Sequence, residues 1–86
     1  MKYRTKIEVN HKMVEDDLNN FWLWLPFSEF KELKNITKKD NIKMIDTNKN
    51  ELFIEKRIEN NDFIGIWYQA DFLSSKKDTT FYLIID

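Results

Sequence analysis

The sequence predicts an α+β fold, in which one kinked or broken helical segment packs on one face of an antiparallel sheet of four or five strands. Three observations lead to this prediction. They are alternating apolar and polar residues at the start, an apolar stripe with helical spacing, and strand-like segments joined by short polar turns. Turns of that length join antiparallel neighbours. The predicted order of elements is β-α-β-β-β-β, in a single domain over residues 1–86.

The first strand is predicted over residues 3–9, because its side chains alternate between two faces. The mainly apolar face consists of Tyr3, Thr5, Ile7 and Val9. The charged face consists of Arg4, Lys6 and Glu8. This pattern is typical of a strand with one buried face and one face in water.

The helix is predicted to follow, because apolar residues recur at i, i+4, i+7, i+8 and i+11. The stripe consists of Val14, Leu18, Phe21, Trp22 and Leu25. Acidic residues at 15–17 suit the positive end of the helix dipole. Pro26 lacks a backbone donor and clashes with the preceding turn, so the helix ends or kinks near Leu25. Ser28 is a candidate cap for a second short helix that runs to Lys34.

The rest of the chain is predicted to form strands over residues 42–46, 51–59, 63–73 and 79–85, separated by polar turns. The face that packs on the helix is predicted to carry Tyr3, Ile7, Val9, Ile42, Met44, Leu52, Ile54, Ile58, Ile64, Ile66, Phe81, Leu83 and Ile85. A shift of one residue in the register of any strand would exchange its two faces. Gly65 interrupts the longest strand, which indicates that either an aromatic side chain of the same chain or a partner packs over it.

The composition argues against an enzyme, and we expect neither a cofactor nor a metal ion. The 86 residues contain no cysteine, one histidine and one glycine, which leaves no thiolate, no glycine-rich phosphate loop and no triad around His11. The Asp-x-Asn-x-Asn spacing from Asp46 to Asn50 resembles the start of a calcium loop. Glu51 replaces the glycine that this loop requires, so a hairpin turn is predicted. No long apolar run follows the first residues, so we expect a cytoplasmic protein without a membrane span.

Two surfaces are predicted to bind a partner. The first is the outer face of the sheet, where aromatic residues and arginine together have the composition of binding hot spots. The second is the back of the helix, where Leu23 and Trp24 lie outside the core stripe. Phe27 and Phe30 join this second surface only if the helix runs straight through Pro26. The candidate partner-binding residues from both surfaces are Leu23, Trp24, Phe53, Arg57, Trp67 and Tyr82.

The sequence predicts a small non-enzymatic protein that binds another protein. The leading hypothesis is an inhibitor or immunity-type protein of a phage or another mobile element, which acts against a host or defence protein. The support is the small size, the missing catalytic groups, the surface aromatics and a richness in Lys, Asn and Ile that is typical of AT-rich coding. A homodimeric structural or assembly protein is the first alternative. A single-stranded nucleic-acid binder that uses an aromatic sheet face is the second, and the net charge of −1 disfavours it.

Overall fold

The computed structural model describes residues 3–33, 36 and 40–86, and within them the chain forms two three-stranded antiparallel sheets. The strands are β1 (Tyr3–Val9), β2 (Leu18–Pro26), β3 (Ile42–Asp46), β4 (Ile54–Glu59), β5 (Asp62–Leu73) and β6 (Thr79–Ile85). One sheet has the order β1-β6-β3 and the other has the order β2-β5-β4. The helical elements of these residues are 3-10 turns at His11–Met13, Phe27–Glu29 and Lys31–Leu33. No helix in the described part of the chain is long and apolar enough to cross a membrane.

The predicted α+β fold is wrong, and the error lies in the segment that was expected to be a helix. Residues 18–26 form strand β2, which pairs with β5 in an antiparallel register. Every residue from Phe21 to Leu25 is apolar, so both faces of this strand carry large apolar side chains. An unbroken apolar run contains helical spacing by necessity, so the stripe did not distinguish a helix from a strand. Aromatic residues are also enriched in strands, which favours the observed structure.

The second predicted helix, from Ser28 to Lys34, is likewise absent from the residues that the structure describes. Two 3-10 turns take its place at Phe27–Glu29 and Lys31–Leu33, and Lys34 lies outside the described residues. Phe27 is buried and Phe30 packs against the core. Pro26 is the last residue of edge strand β2, a position at which proline is tolerated.

The strands predicted over residues 3–9, 42–46 and 79–85 are confirmed with those bounds. Most of the residues predicted to face inward lie in the core or pack against it. Ile58 is an exception because it is exposed, whereas Phe63, which is absent from the predicted inner face, packs against the core. The register between β4 and β5 shifts at Ile58. The shift pairs Phe63, and not Ile64, with Ile58, which explains why Phe63 turns toward the core.

The core lies between the two sheets and draws on both. Its buried hydrophobic members are Val14, Leu25, Phe27, Leu33, Ile36, Ile42, Met44, Ile66, Tyr68, Ala70, Leu73, Phe81, Leu83 and Ile85. The ring of Tyr68 in β5 meets the ring of Phe81 in β6 edge-on, with centroids 5.5 Å apart and an interplanar angle of 67°. Burial disfavours the phenolate and raises the pKa of Tyr68 to about 12.

Residues 51–53 connect the two sheets at one side of the core. The backbone N–H of Leu52 donates to the carbonyl of Met44 in β3, at 2.8 Å. The N–H of Gln69 in β5 donates to the carbonyl of Phe53, at 2.9 Å. The segment therefore bonds first to one sheet and then to the other.

Asp46 shapes the turn that leads into this segment. Its buried carboxylate accepts hydrogen bonds from the backbone N–H groups of Asn48 and Asn50, both at 2.9 Å. An aspartate that bonds to the backbone two residues later is a turn-forming arrangement. The spacing that resembles a calcium loop thus forms a turn, as predicted, and its carboxylate is engaged by the chain itself.

At the opposite side of the core, two carboxylates connect the loop after β1 to the loop before β6. Asp17 accepts hydrogen bonds from the N–H of Ser75 at 2.8 Å and from its hydroxyl at 2.9 Å. Asp78 accepts one from the N–H of His11 at 3.0 Å, and its Oδ1 lies 2.7 Å from the His11 ring nitrogen Nδ1. The hydrogen bonds from Ser75 lower the pKa of Asp17, and those from His11 lower the pKa of Asp78.

We expect acid to weaken the connection between the loops, because protonation of these two carboxylates weakens the hydrogen bonds that they accept. A carboxyl group whose pKa is lowered by folding stabilises the protein above its ordinary pKa of 3.8. That stability is lost as the pH falls through the folded-state value. Asp17→Asn should lower the unfolding temperature at neutral pH and flatten its decline between about pH 5 and about pH 2. Thermal unfolding across this range measures both effects. Asp16→Asn alters a neighbouring exposed carboxylate and should reproduce the wild-type curve; an equal flattening in that control would contradict the prediction.

Candidate binding surface

One face of the β2-β5-β4 sheet points away from the core and carries large exposed side chains. Antiparallel partners place their side chains on the same side of a sheet, so the register defines this face row by row. Trp24, Trp67 and Glu55 form one row across the three strands. Pro26, Gly65 and Arg57 form the next. We call this surface the tryptophan face, and its members are Trp22, Trp24, Phe53, Glu55, Arg57, Gly65, Trp67 and Gln69.

The third row of the tryptophan face lies on the other side of the tryptophan pair. Trp22 is opposite Gln69, and the hydrogen bond from the N–H of Gln69 to the carbonyl of Phe53 continues the β4–β5 ladder by one residue. Phe53 is 76% exposed, the most of the large hydrophobic side chains on this face. Gln69 therefore separates two exposed aromatic side chains, and its amide nitrogen Nε2 donates a hydrogen bond to the Asn20 carbonyl at 3.4 Å.

Trp24 and Trp67 are in direct contact across the strand pair. Their ring centroids lie 5.3 Å apart with an interplanar angle of 46°. The Trp24 side chain also covers Gly65, because a β-carbon there would lie 2.6 Å from Cη2 and 2.8 Å from Cζ2 of the indole. Of the two alternatives that the sequence leaves open for this glycine, the structure shows an aromatic side chain of the same chain. Trp24 therefore packs against both Trp67 and Gly65 in the free protein.

The three tryptophan side chains of this face remain partly exposed, including the two that contact each other. Trp24 is 37% exposed, and Trp22 and Trp67 are each 41% exposed. An indole that is rigid in the free protein loses little conformational entropy when a partner covers it. The tryptophan face therefore combines apolar area with a fixed geometry, two properties that favour binding.

The charges on the tryptophan face balance one another. Glu55 and Arg57 lie on the same strand, and the Arg57 guanidinium is 3.8 Å from the exposed carboxylate of Glu59. Lys56 is opposite Ile66 on the other side of the sheet, with its amino group 6.0 Å from the ring centroid of Phe63. A surface that binds a nucleic-acid backbone needs an excess of positive charge. The charged side chains of the tryptophan face do not provide such an excess.

An apolar groove continues the tryptophan face beside Trp24. It has a volume of about 400 Å³, and its lining consists of Trp24, Pro26, Phe27, Ser28, Leu33, Phe63 and Ile64. None of the described residues that line the groove is charged. The groove offers an apolar side chain of a partner a place next to an exposed indole.

A polar cleft at the opposite end of the core includes Asp46, Asp71 and Asp78 in its lining. The carboxylates of Asp46 and Asp78 accept the hydrogen bonds described above. Among the residues that the structure describes, no group of three or more His, Cys, Asp or Glu side chains is placed to hold a metal ion. We therefore assign no ion to this cleft.

The structure brings together four of the six candidate partner-binding residues on the tryptophan face, namely Trp24, Phe53, Arg57 and Trp67. Leu23 lies opposite Tyr68 on the inner side of the sheet and packs against the core. Tyr82 belongs to β6 in the other sheet, where the Arg4 guanidinium carbon lies 4.7 Å from its ring centroid. Trp22 belongs to this face as well, although its spacing predicted a place in the core stripe of a helix. The alternation of Trp22 and Trp24 with Leu23 and Leu25 was the signal for its outward position.

The packing at Gly65 gives a first prediction for this surface. Gly65→Ala should reduce the free energy of unfolding by about 1–3 kcal/mol, because the added methyl group would overlap the Leu25 carbonyl oxygen and the Trp24 ring. Urea denaturation measures the loss. In a Trp24→Ala background the cost should fall but persist, since the backbone carbonyl remains. A Gly65→Ala variant as stable as the wild type would show that the strands are farther apart than described.

The contact between Trp24 and Trp67 gives a second prediction. Trp24→Ala, Trp67→Ala and the double variant should show a coupling energy of about 0.5–1.5 kcal/mol in urea denaturation, as expected of an aromatic pair. Trp22→Ala with Phe53→Ala is the control cycle, because Gln69 separates these two residues. Its coupling should stay below about 0.5 kcal/mol. Equal coupling in the two cycles would contradict a specific tryptophan contact.

Comparisons of the chain with protein-family models, with curated proteins and with solved structures found no match. What the protein binds is therefore inferred from its own residues and their geometry.

Proposed function

We propose that this chain is a non-enzymatic protein-binding module that engages another protein through the tryptophan face. The observation that carries the proposal is the exposure of three tryptophan side chains on one face of a three-stranded sheet. Tryptophan, tyrosine and arginine are enriched among the residues that dominate binding energy. Arg57 lies on the same face and supplies a polar anchor at its margin.

The size of the tryptophan face suggests what else the partner must touch. Three strands spaced about 4.8 Å apart, over five residues that each rise about 3.4 Å, cover a flat area on the order of 250 Å². A stable protein–protein interface buries about 800 Å² on each partner. The apolar groove beside Trp24 is continuous with the face. We infer that the partner covers the groove as well as the tryptophans, with Trp24 at the centre of the contact.

The proposed biological role is an inhibitor or immunity-type protein of a phage or another mobile element, active in the cytoplasm against a host or defence protein. An inhibitor of this kind needs only a complementary surface and no chemistry of its own. A chain of 86 residues that presents a rigid aromatic surface meets that requirement. The richness in Lys, Asn and Ile is the compositional support for a mobile element.

The proposal predicts that binding depends on Trp24 and Trp67. Immobilised wild-type protein should retain a specific partner from a lysate of the source cells, and Trp24→Ala/Trp67→Ala should lose it. Each hot-spot truncation of 2 kcal/mol or more corresponds to at least about 30-fold in affinity. Met13→Ala is the control, because it removes an exposed apolar side chain outside the β2-β5-β4 sheet. Equal retention by the wild type and the tryptophan variant would refute the proposed surface, provided that unfolding curves show all variants folded.

A titration with single-stranded oligonucleotides separates the proposal from the nucleic-acid alternative. Bases that stack on Trp22, Trp24 or Trp67 would quench tryptophan fluorescence, and added salt would reverse the effect. A protein-binding face with balanced charge should show no quenching at low salt. Strong, salt-sensitive quenching would replace the proposed partner class with nucleic acid.

A further inference from the structure

The open edges of the two sheets differ in a way that points to a second copy of the chain. In the described residues, β2 and β4 each pair with β5 alone, and β1 pairs with β6 alone. The free side of β3 is partly covered, because Ile45 bridges to Glu51 and Met44 accepts the N–H of Leu52. An open edge presents unpaired backbone N–H and C=O groups to which another strand can add.

Charged side chains protect two of these open edges but not the third. β1 carries Arg4, Lys6 and Glu8, and β4 carries Glu55, Lys56, Arg57 and Glu59. Such charges on an edge strand oppose pairing with a further strand. The nine residues of β2, Leu18–Pro26, include no charged residue. β2 is therefore the edge on which an added strand meets no electrostatic obstacle.

The sequence of β2 is suited to pairing with itself. If two copies met in antiparallel orientation about Leu23, Trp22 would lie opposite Trp24 of the second copy on the outer side. Phe21 would lie opposite Leu25 of the second copy on the inner side. Aromatic and aliphatic cross-strand pairs of this kind stabilise a sheet. By contrast, self-pairing of β1 about its middle residue would place Lys6 against Lys6, and like charges directly opposite are destabilising.

Phe21 provides a second reason for an added strand at this edge. It lies opposite Ala70 on the inner side of the sheet, yet it is 45% exposed. Its neighbour toward the core, Leu23, is only partly buried. An added β2 strand would cover part of both side chains.

We propose that β2 is a homodimerisation edge, at which two copies pair antiparallel about Leu23 to form one continuous six-stranded sheet. Two-fold pairing of this kind places both tryptophan faces on the same side of that sheet. The exposed parts of Phe21, Trp22 and Trp24 amount to roughly 40% of three side chains that can each bury about 150–250 Å². This area is small for an interface, so the dimer forms in a concentration-dependent equilibrium.

The absence of cysteine from the sequence permits a direct test with purified protein. Single cysteines are introduced at Phe21, Trp22, Leu23 and Trp24, with Lys6→Cys and Arg57→Cys as controls on the other open edges. Only the residue on the two-fold axis faces itself, with β-carbons about 4.5–5.5 Å apart, near disulfide distance. Leu23→Cys should form covalent dimers at least about 10-fold faster than the other variants, since a neighbouring position is offset by about 7 Å along the strand.

A second measurement keeps the proposal testable if a cysteine at Leu23 disturbs folding. Sedimentation of the wild type from about 1 µM to about 1 mM should show the mass rise from monomer to dimer. Trp22→Glu should remain monomeric, whereas Phe53→Glu, which changes the far side of the same face, should dimerise like the wild type. A monomeric wild type at the highest concentration, a dimeric Trp22→Glu, or a cross-linking maximum away from Leu23 overturns the proposal. Because these experiments contain no other protein, their failure leaves partner binding through the tryptophan face to its own test.

Discussion

The pairing of β2 with β5 is the interaction on which the rest of the structure depends. It sets Leu25 beside Ile66 on the inner side, where both are buried, and Trp24 beside Trp67 on the outer side, where both are exposed. The same register lays the Trp24 ring over Gly65. One alignment of two strands therefore defines both the core side of this sheet and the tryptophan face. A slip of one residue would move tryptophans into the core and aliphatic side chains into water.

The sequence predicted strands well wherever apolar and charged residues alternate. In β1 the charges of Arg4, Lys6 and Glu8 mark the outer face, and the observed strand has the predicted bounds. In β2 the outer positions carry Trp22 and Trp24, so the alternation that identifies a strand is hidden by side chains that are apolar on both faces. The inward position of Phe63 depends on an irregularity in the ladder between two strands. Such a feature arises from the pairing and has no local signature in either strand.

The residues of the candidate site that the sequence predicted correctly lie mainly on strands that its pattern identifies. Phe53, Arg57 and Trp67 share a face because the strands of residues 51–59 and 63–73 were identified with the correct alternation between these positions. Tyr82 alternates in the same way, yet it lies in the other sheet. The division of the strands between two sheets is decided by pairings between distant residues, which a single sequence does not reveal. Trp24 was selected for its exposure on a helix and is exposed on a strand instead.

The strand order also has a consequence for the order in which the fold can be assembled. β1 pairs with β6 and β2 with β5, so in each case the earlier strand is synthesised long before its partner. Contacts between distant segments form slowly, because the intervening chain must first be ordered. The tryptophan-rich segment of residues 18–26 therefore stays unpaired during synthesis until residues 62–73 follow. For that interval a strand with no charged residue is accessible to chaperones and to other nascent chains, which makes unfinished molecules the form most prone to aggregate.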